Sequence, residues 1–227
     1  MWKRSPERAG RPGINCGRSI DMRIITISRE FGSGGRELGK RLADHLGWDY
    51  YDSEIIAAVA ENSGMDADYV ESTLDNHGWQ DFPVTFGGTI HSVAYVQASR
   101  IQLLVEQKMI IERIAALGKD FVIIGRNADE ILKAYHPFNV FVCADQEAKI
   151  ARCMARAKEN EHLTEKDLIR KMKEIDKSRA RTRDFLSDSP WGHRESYHLT
   201  VNTSGWDLKA LAPLLALFAD KWFTRAQ

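Results

Sequence analysis

Nowhere among its 227 residues does the chain carry an apolar run near the roughly 18 residues that cross a bilayer, and its N-terminus has no apolar stretch of the kind a signal peptide needs. A soluble, cytoplasmic protein is expected. Cysteine is scarce: Cys16, Cys143 and Cys153 form an odd set, with no CxxC pair and no histidines at zinc spacing. That excludes neither a thiol nor its chemistry, but it argues against a disulfide framework and against a metal knuckle. Charge of one sign is not in excess either. The 32 basic and 32 acidic side chains cancel, so no whole-protein field draws the chain to nucleic acid or an anionic membrane. Any anion site has to be local.

A hydrophobic fraction of 43% fills the core of one large α/β domain, expected over residues 22–227. Residues 1–21 are rich in Arg, Gly and Pro and repeat at neither helical nor strand period. They read as a disordered basic tail or as a misassigned start, because Met22 stands directly before the first strand; a tail that touches nucleic acid rests on composition alone.

From Met22 onward strands and helices alternate. RIITIS, WDYYD, FVIIG, NVFVCA and YHLTVNTS read as strands. Leu38, Leu42 and Leu46 mark one face of a helix over 37–46 that Gly47 ends, and a long helix over 95–117 carries Ile101, Leu104, Val105, Ile111 and Ile114. Further helices are expected over 54–62, 66–74, 127–134, 145–158 and 207–223, with another opened by Thr164 and Asp167 in an approximate capping box. The stretch NHGWQDFPVTFGGTIH has Gly and Pro but little periodicity and is a candidate flap. This order predicts an α/β fold with a mostly parallel sheet covered by helices on both faces, and ligands beyond the carboxyl ends of its strands.

Polar clusters follow three of those strands. Gly32, Ser33, Gly34, Gly35 and Arg36 lie between a strand and a helix, where converging backbone N–H groups and the helix dipole suit an anion; a plain tight turn is the alternative. The usual phosphate loop has a Lys and then a Ser or Thr where this one has Gly35 and Arg36. Arg36, in the first helical turn, is the candidate for the missing charge, with Lys40 one turn on as the weaker one. Asp52 and Ser53 follow the second strand, where the acid can accept from a substrate amine or hydroxyl or join the shell of a metal ion; the alternative is that one of them caps the next helix. In GRNAD, Arg126 needs an anion at the end of a buried strand, and a substrate phosphate or Asp129 would serve. Arg152 with Arg156, and Arg179 with Arg183, are spaced four apart on helices, with Asp176 three before Arg179. They are either a solvated face or the cations that phosphoryl transfer needs around its spread charge.

ITISREFGSGGRELGKRLADHLGWDYYDSEII, FVIIGRNADEIL and IDKSRARTRDF, followed by the WG of SPWG and YHLTVNTS, resemble in this order the cytidylate kinase-like family of P-loop nucleoside monophosphate kinases. The resemblance covers everything but the tail. It implies a three-layer P-loop kinase fold on a five-stranded parallel sheet, an acceptor-side insertion over about 54–100 and an arginine-bearing lid over about 157–190. It further implies an ATP donor on Gly32, Ser33, Gly34, Gly35 and Arg36, Mg2+ held mainly by the nucleotide, and a small phosphate acceptor. By position Ser53 and Arg126 match acceptor-binding residues, and Arg152, Arg179 and Arg183 match arginines around the transferred phosphates. Ala180 stands where cytidylate kinases have an acidic residue for the pyrimidine nucleotide, and the loop lacks its Lys and Ser/Thr. The expected activity is therefore ATP-dependent phosphotransfer, with a nucleotide-binding sensor of weak or no turnover as the alternative.

Overall fold

The computed structural model describes residues 22–52, 93–125, 127–156 and 164–225, with the side chains of 93–103 and 106 excepted. The expected tail, the helices over 54–62 and 66–74, and the candidate flap lie outside the described residues.

Five strands form one sheet: β1 (Ile24–Arg29), β2 (Asp49–Tyr51), β3 (Phe121–Ile124), β4 (Phe138–Cys143) and β5 (Leu199–Asn202). They lie in the order β2-β3-β1-β4-β5, and every pairing is parallel. Between them run α1 (Gly35–Leu46), α2 (Val93–Ala116), α3 (Ala128–Ile131), α4 (Gln146–Arg156), α5 (Glu165–Leu186) and α6 (Leu208–Thr224).

Strand residues alternate between two cores because successive side chains point to opposite faces. Ile25 and Ile27 of β1, with Val122, Ile124, Val140 and Val142, pack on Leu38 and Leu42 of α1 and Leu211 and Leu215 of α6. Ile24, Phe121 and Ile123 face the other way, onto Ile110, Ile111 and Ile114 of α2 and Leu132. The sheet is thus the middle of three layers. A polar pair, Thr26 Oγ1 donating to Asn139 Oδ1 at 2.7 Å, joins facing residues of β1 and β4.

The helix signals hold locally. Gly47 closes α1 in the left-handed region, with Trp48 N–H returning to the Ala43 carbonyl at 3.0 Å as in a Schellman ending. Thr164 caps α5 by accepting from the Asp167 N–H, and Asp207 caps α6 through Lys209 N–H. The helix expected over 127–134 is shorter: α3 ends at Ile131, and a 3-10 turn, Lys133–Tyr135, carries the chain to β4.

Candidate active site

The central strand fixes the site. β1 lies between β3 and β4, and its carboxyl end runs into the glycine loop and then into α1, so the first N–H groups of α1 face the crevice above the sheet. Gly34 caps α1 at φ 82, a left-handed conformation that costs an L-residue, and a Cβ there would also sit 2.7 Å from Leu208 Cδ1. Backbone, not side chain, is what this turn offers a ligand.

Four elements brace the loop. Ser33 is fully buried; its hydroxyl donates to Glu30 O at 2.8 Å, and its own carbonyl accepts from Arg152 Nη1 at 3.1 Å and Thr203 Oγ1 at 2.6 Å. Arg152 also donates to Thr203 Oγ1 and O, and Arg156 pairs with Glu37 in the first turn of α1. Lys149 Nζ lies 2.9 Å from Glu30 Oε2. From α5, Asp176 Oδ1 accepts the Phe31 N–H at 2.8 Å, while Arg179 Nη1 donates to Arg29 O at 3.0 Å and to Asp176 Oδ1 at 2.9 Å. α5 therefore grips both a donor and an acceptor of the loop backbone.

Beyond the loop is a cluster of cations. Arg36 Nε is 3.3 Å from Asp52 Oδ2, and the Tyr50 hydroxyl reaches the same oxygen and the Arg36 carbonyl at 3.5 Å. Burial, and next the charge of Asp52, push the Tyr50 phenol above its ordinary range. Arg29 closes the cluster. Burial and then the guanidiniums of Arg179 and Arg36 push its pKa down to about 9, so it remains a cation at neutral pH in a place that disfavours one. Burial likewise lowers the pKa of Arg179 and raises that of Asp176. Among the described residues, three guanidiniums here face two carboxylates, Asp52 and Asp176. A pocket of about 250 Å³ opens beside them, lined by Ser28, Arg29, Gly125, Asn127, Ser178, Arg179, Thr182 and Trp191.

The sequence-expected residues divide accordingly. Gly32, Ser33, Gly34, Gly35, Arg36, Arg152, Arg156, Arg179 and Asp52 gather at or around the loop. Ser53 and Arg126 lie outside the described residues. Lys40 turns from the loop to Asp44 and lies over the Tyr50 ring. Arg183 differs most from expectation: with 1% exposure its guanidinium pairs with Asp129 and, at 3.3 Å, Glu130, while Nε donates to Ser189 O at 2.9 Å. Arg183 pairs with Asp129 through Oδ2 and fastens α5 to the turn after β3, rather than facing a phosphate, while Asp129 Oδ1 has no hydrogen-bond partner among the described residues. Burial still raises the Asp129 pKa, against the opposing pull of Arg183. Arg29 is the residue the sequence reading missed. Its signal was a charge at the end of a buried strand, the argument applied there to Arg126.

A parallel sheet in this order, with a glycine loop between β1 and α1 and an arginine-bearing helix over it, is the P-loop kinase fold. The chain belongs to the cytidylate kinase-like family, whose sequence profile matches residues 24–205. It is similar to a solved, uncharacterized protein from Eubacterium ventriosum at 25% identity and a TM-score of 0.65, covering 90% of this chain and 100% of that one. A shikimate kinase from Bacteroides thetaiotaomicron aligns at 12% identity and a TM-score of 0.52, over 88% of this chain and 99% of that one, a likeness of fold alone. A comparison with curated protein sequences gives no match.

Proposed function

We propose that the protein transfers the γ-phosphoryl group of ATP to a nucleoside monophosphate or a similar small acceptor. The carrying observation is the glycine loop ahead of α1, gripped by α5 through Asp176 and Arg179, with Arg36, Arg29 and Arg179 clustered beside it and a polar pocket lined by Arg29 and Arg179 next to them. A Cβ at Gly34 would meet Leu208, so glycine there lets the turn pack against the start of α6, and the left-handed turn leaves the first backbone N–H groups of α1 for a nucleotide's phosphates. ATP, when bound, supplies the phosphoryl group. The helix N-terminus then holds negative charge, Arg152 and Arg156 keep the loop in shape, and Arg36 and Arg179 stand beside the group in transfer to stabilise charge as it spreads. α5 covers the site and excludes water, anchored by Arg183 on Asp129.

Among the described residues no three His, Cys, Asp or Glu side chains gather as a metal set, and the Ser33 hydroxyl is bound to Glu30 O. Mg2+ would be held mainly by the nucleotide, with Asp52 and Asp176 the described carboxylates at the cluster. No described helix is long and apolar enough to cross a membrane, and the proposed setting is the cytoplasm.

Arg36, standing where Ser or Thr usually binds magnesium, favours a second reading: a nucleotide sensor without turnover. Incubating the protein with ATP, magnesium and a panel of monophosphates and small alcohols separates the two. ADP formed with one acceptor supports the kinase; nucleotide binding with no ADP from any member supports the sensor.

A further inference from the structure

We propose that Arg29 is the receptor for the acceptor's own phosphate, and so a specificity-determining residue of the reaction; this rests on the kinase reading above. Arg29 ends β1, and its side chain runs beneath Gly125 at the end of β3. A Cβ on Gly125 would collide with Arg29 Nη1, so the guanidinium occupies space that only glycine, here at φ 74, leaves open.

Among the described residues no hydrogen bond reaches that guanidinium, although Arg29 is half-buried beside two others. A guanidinium has five N–H donors, and a desolvated cation without an acceptor is costly. What Arg29 does face is the pocket. Donors converge there from three elements: Arg29 from β1, Asn127 from the turn after β3, and Ser178 and Arg179 from α5, with the Trp191 ring as an apolar wall. A carboxylate presents two oxygens in one plane. A phosphate monoester presents three around a tetrahedral centre, which is the shape that donors from three directions fit.

The test is calorimetric titration of inorganic phosphate into wild type, Arg29→Gln and Arg29→Lys, each held with saturating β,γ-imido-ATP and magnesium. Phosphate should bind wild type beside the analogue. Arg29→Gln should weaken phosphate at least tenfold and Arg29→Lys by less, while analogue affinity stays within twofold. The ligand-free melting temperature of Arg29→Gln should equal or exceed that of wild type, because an uncompensated charge has gone; a structural arginine would lower it. Unchanged phosphate affinity in Arg29→Gln overturns the proposal, as does phosphate that binds only when the analogue is absent. Acetate binding as tightly as phosphate overturns the monoester assignment. If the analogue fails to bind wild type while phosphate still binds through Arg29, the kinase reading falls and the phosphate receptor stands.

Discussion

Restoring the usual lysine to the loop should fail unless a second residue is changed with it. Gly35 occupies the lysine position, and a Cβ built there lies 2.6 Å from Arg29 Cβ, 3.1 Å from Arg29 Cγ and 3.2 Å from Val142 Cβ. The nearest of these belongs to a strand backbone and cannot rotate away, so β1 or α1 must shift. Overpacking of this kind costs about 1–3 kcal/mol, and replacing a helical glycine returns about 0.5–1 kcal/mol. Gly35→Lys alone should therefore lose about 1–2 kcal/mol and bind ATP no more tightly. Arg29→Gly removes the obstructing Cβ, so the double variant should recover, with a coupling of about 1–3 kcal/mol in the cycle. Urea denaturation of the four proteins measures stability, and titration with an ATP analogue measures the loop. A stable Gly35→Lys, or strictly additive effects, would refute the argument that the arginine and the missing lysine are one exchange.

Asp176→Asn removes the charge that joins Phe31 N–H to Arg179, and losing charge-assisted hydrogen bonds of about 1.5–3 kcal/mol should weaken ATP binding by tenfold or more; unchanged affinity in calorimetry would remove the clasp from the mechanism. Burial holds the Asp176 pKa above its ordinary 3.8, so the folded state binds that proton more tightly than the unfolded chain does. The resulting stability is present below the unfolded value and lost as pH rises through the folded one, so the melting advantage of wild type over Asp176→Asn should grow from pH 7 to pH 4 and not shrink. Arg152→Ala deletes the contacts to Ser33 O and Thr203 and should lower kcat/KM for ATP about tenfold, a loss of about 1.4 kcal/mol of transition-state binding, with the fold intact by circular dichroism. Arg36→Ala should cut kcat by roughly a hundredfold, from about 2–4 kcal/mol of lost charge stabilisation, and Lys40→Ala by far less, because Lys40 is turned to Asp44; steady-state kinetics showing the reverse order would place the working charge in the second turn.

Much of this was legible because it is local. The apolar β1 run, the Leu38, Leu42, Leu46 stripe, Gly47 and the Thr164 cap are each decided by a few neighbouring residues, and each appears where its pattern put it. Strand order is not of that kind: nothing near β1 in the chain says that β3 and β4 will flank it. The site divides the same way. A glycine cluster after a strand is visible as a turn that backbone amides can share, whereas the fate of an arginine depends on carboxylates far away. Arg152 and Arg183 have the same helical spacing pattern, yet one clamps the loop at Ser33 O and the other is neutralised by Asp129. Arg29 was hidden because a strand-ending charge reads as a boundary until β3 brings Gly125 over it.

The central place of β1 also sets a timetable for synthesis. Thr26 meets Asn139, 113 residues later, so at about 5–20 residues per second the strand waits some 6–20 seconds before its β4 partner has even been made. Until β3 is made, α1 is the described element that covers Ile25 and Ile27, through the same core in which Leu38 and Leu42 pack against them in the finished protein. A nascent chain arrested before residue 93, ahead of α2 and β3, should accordingly present a β1–α1 unit with the other face of its strand, Ile24 and Thr26, still open to whatever the ribosome exit offers, and substitutions that weaken α1 should raise chaperone dependence and aggregation during synthesis more than they lower the stability of the completed fold.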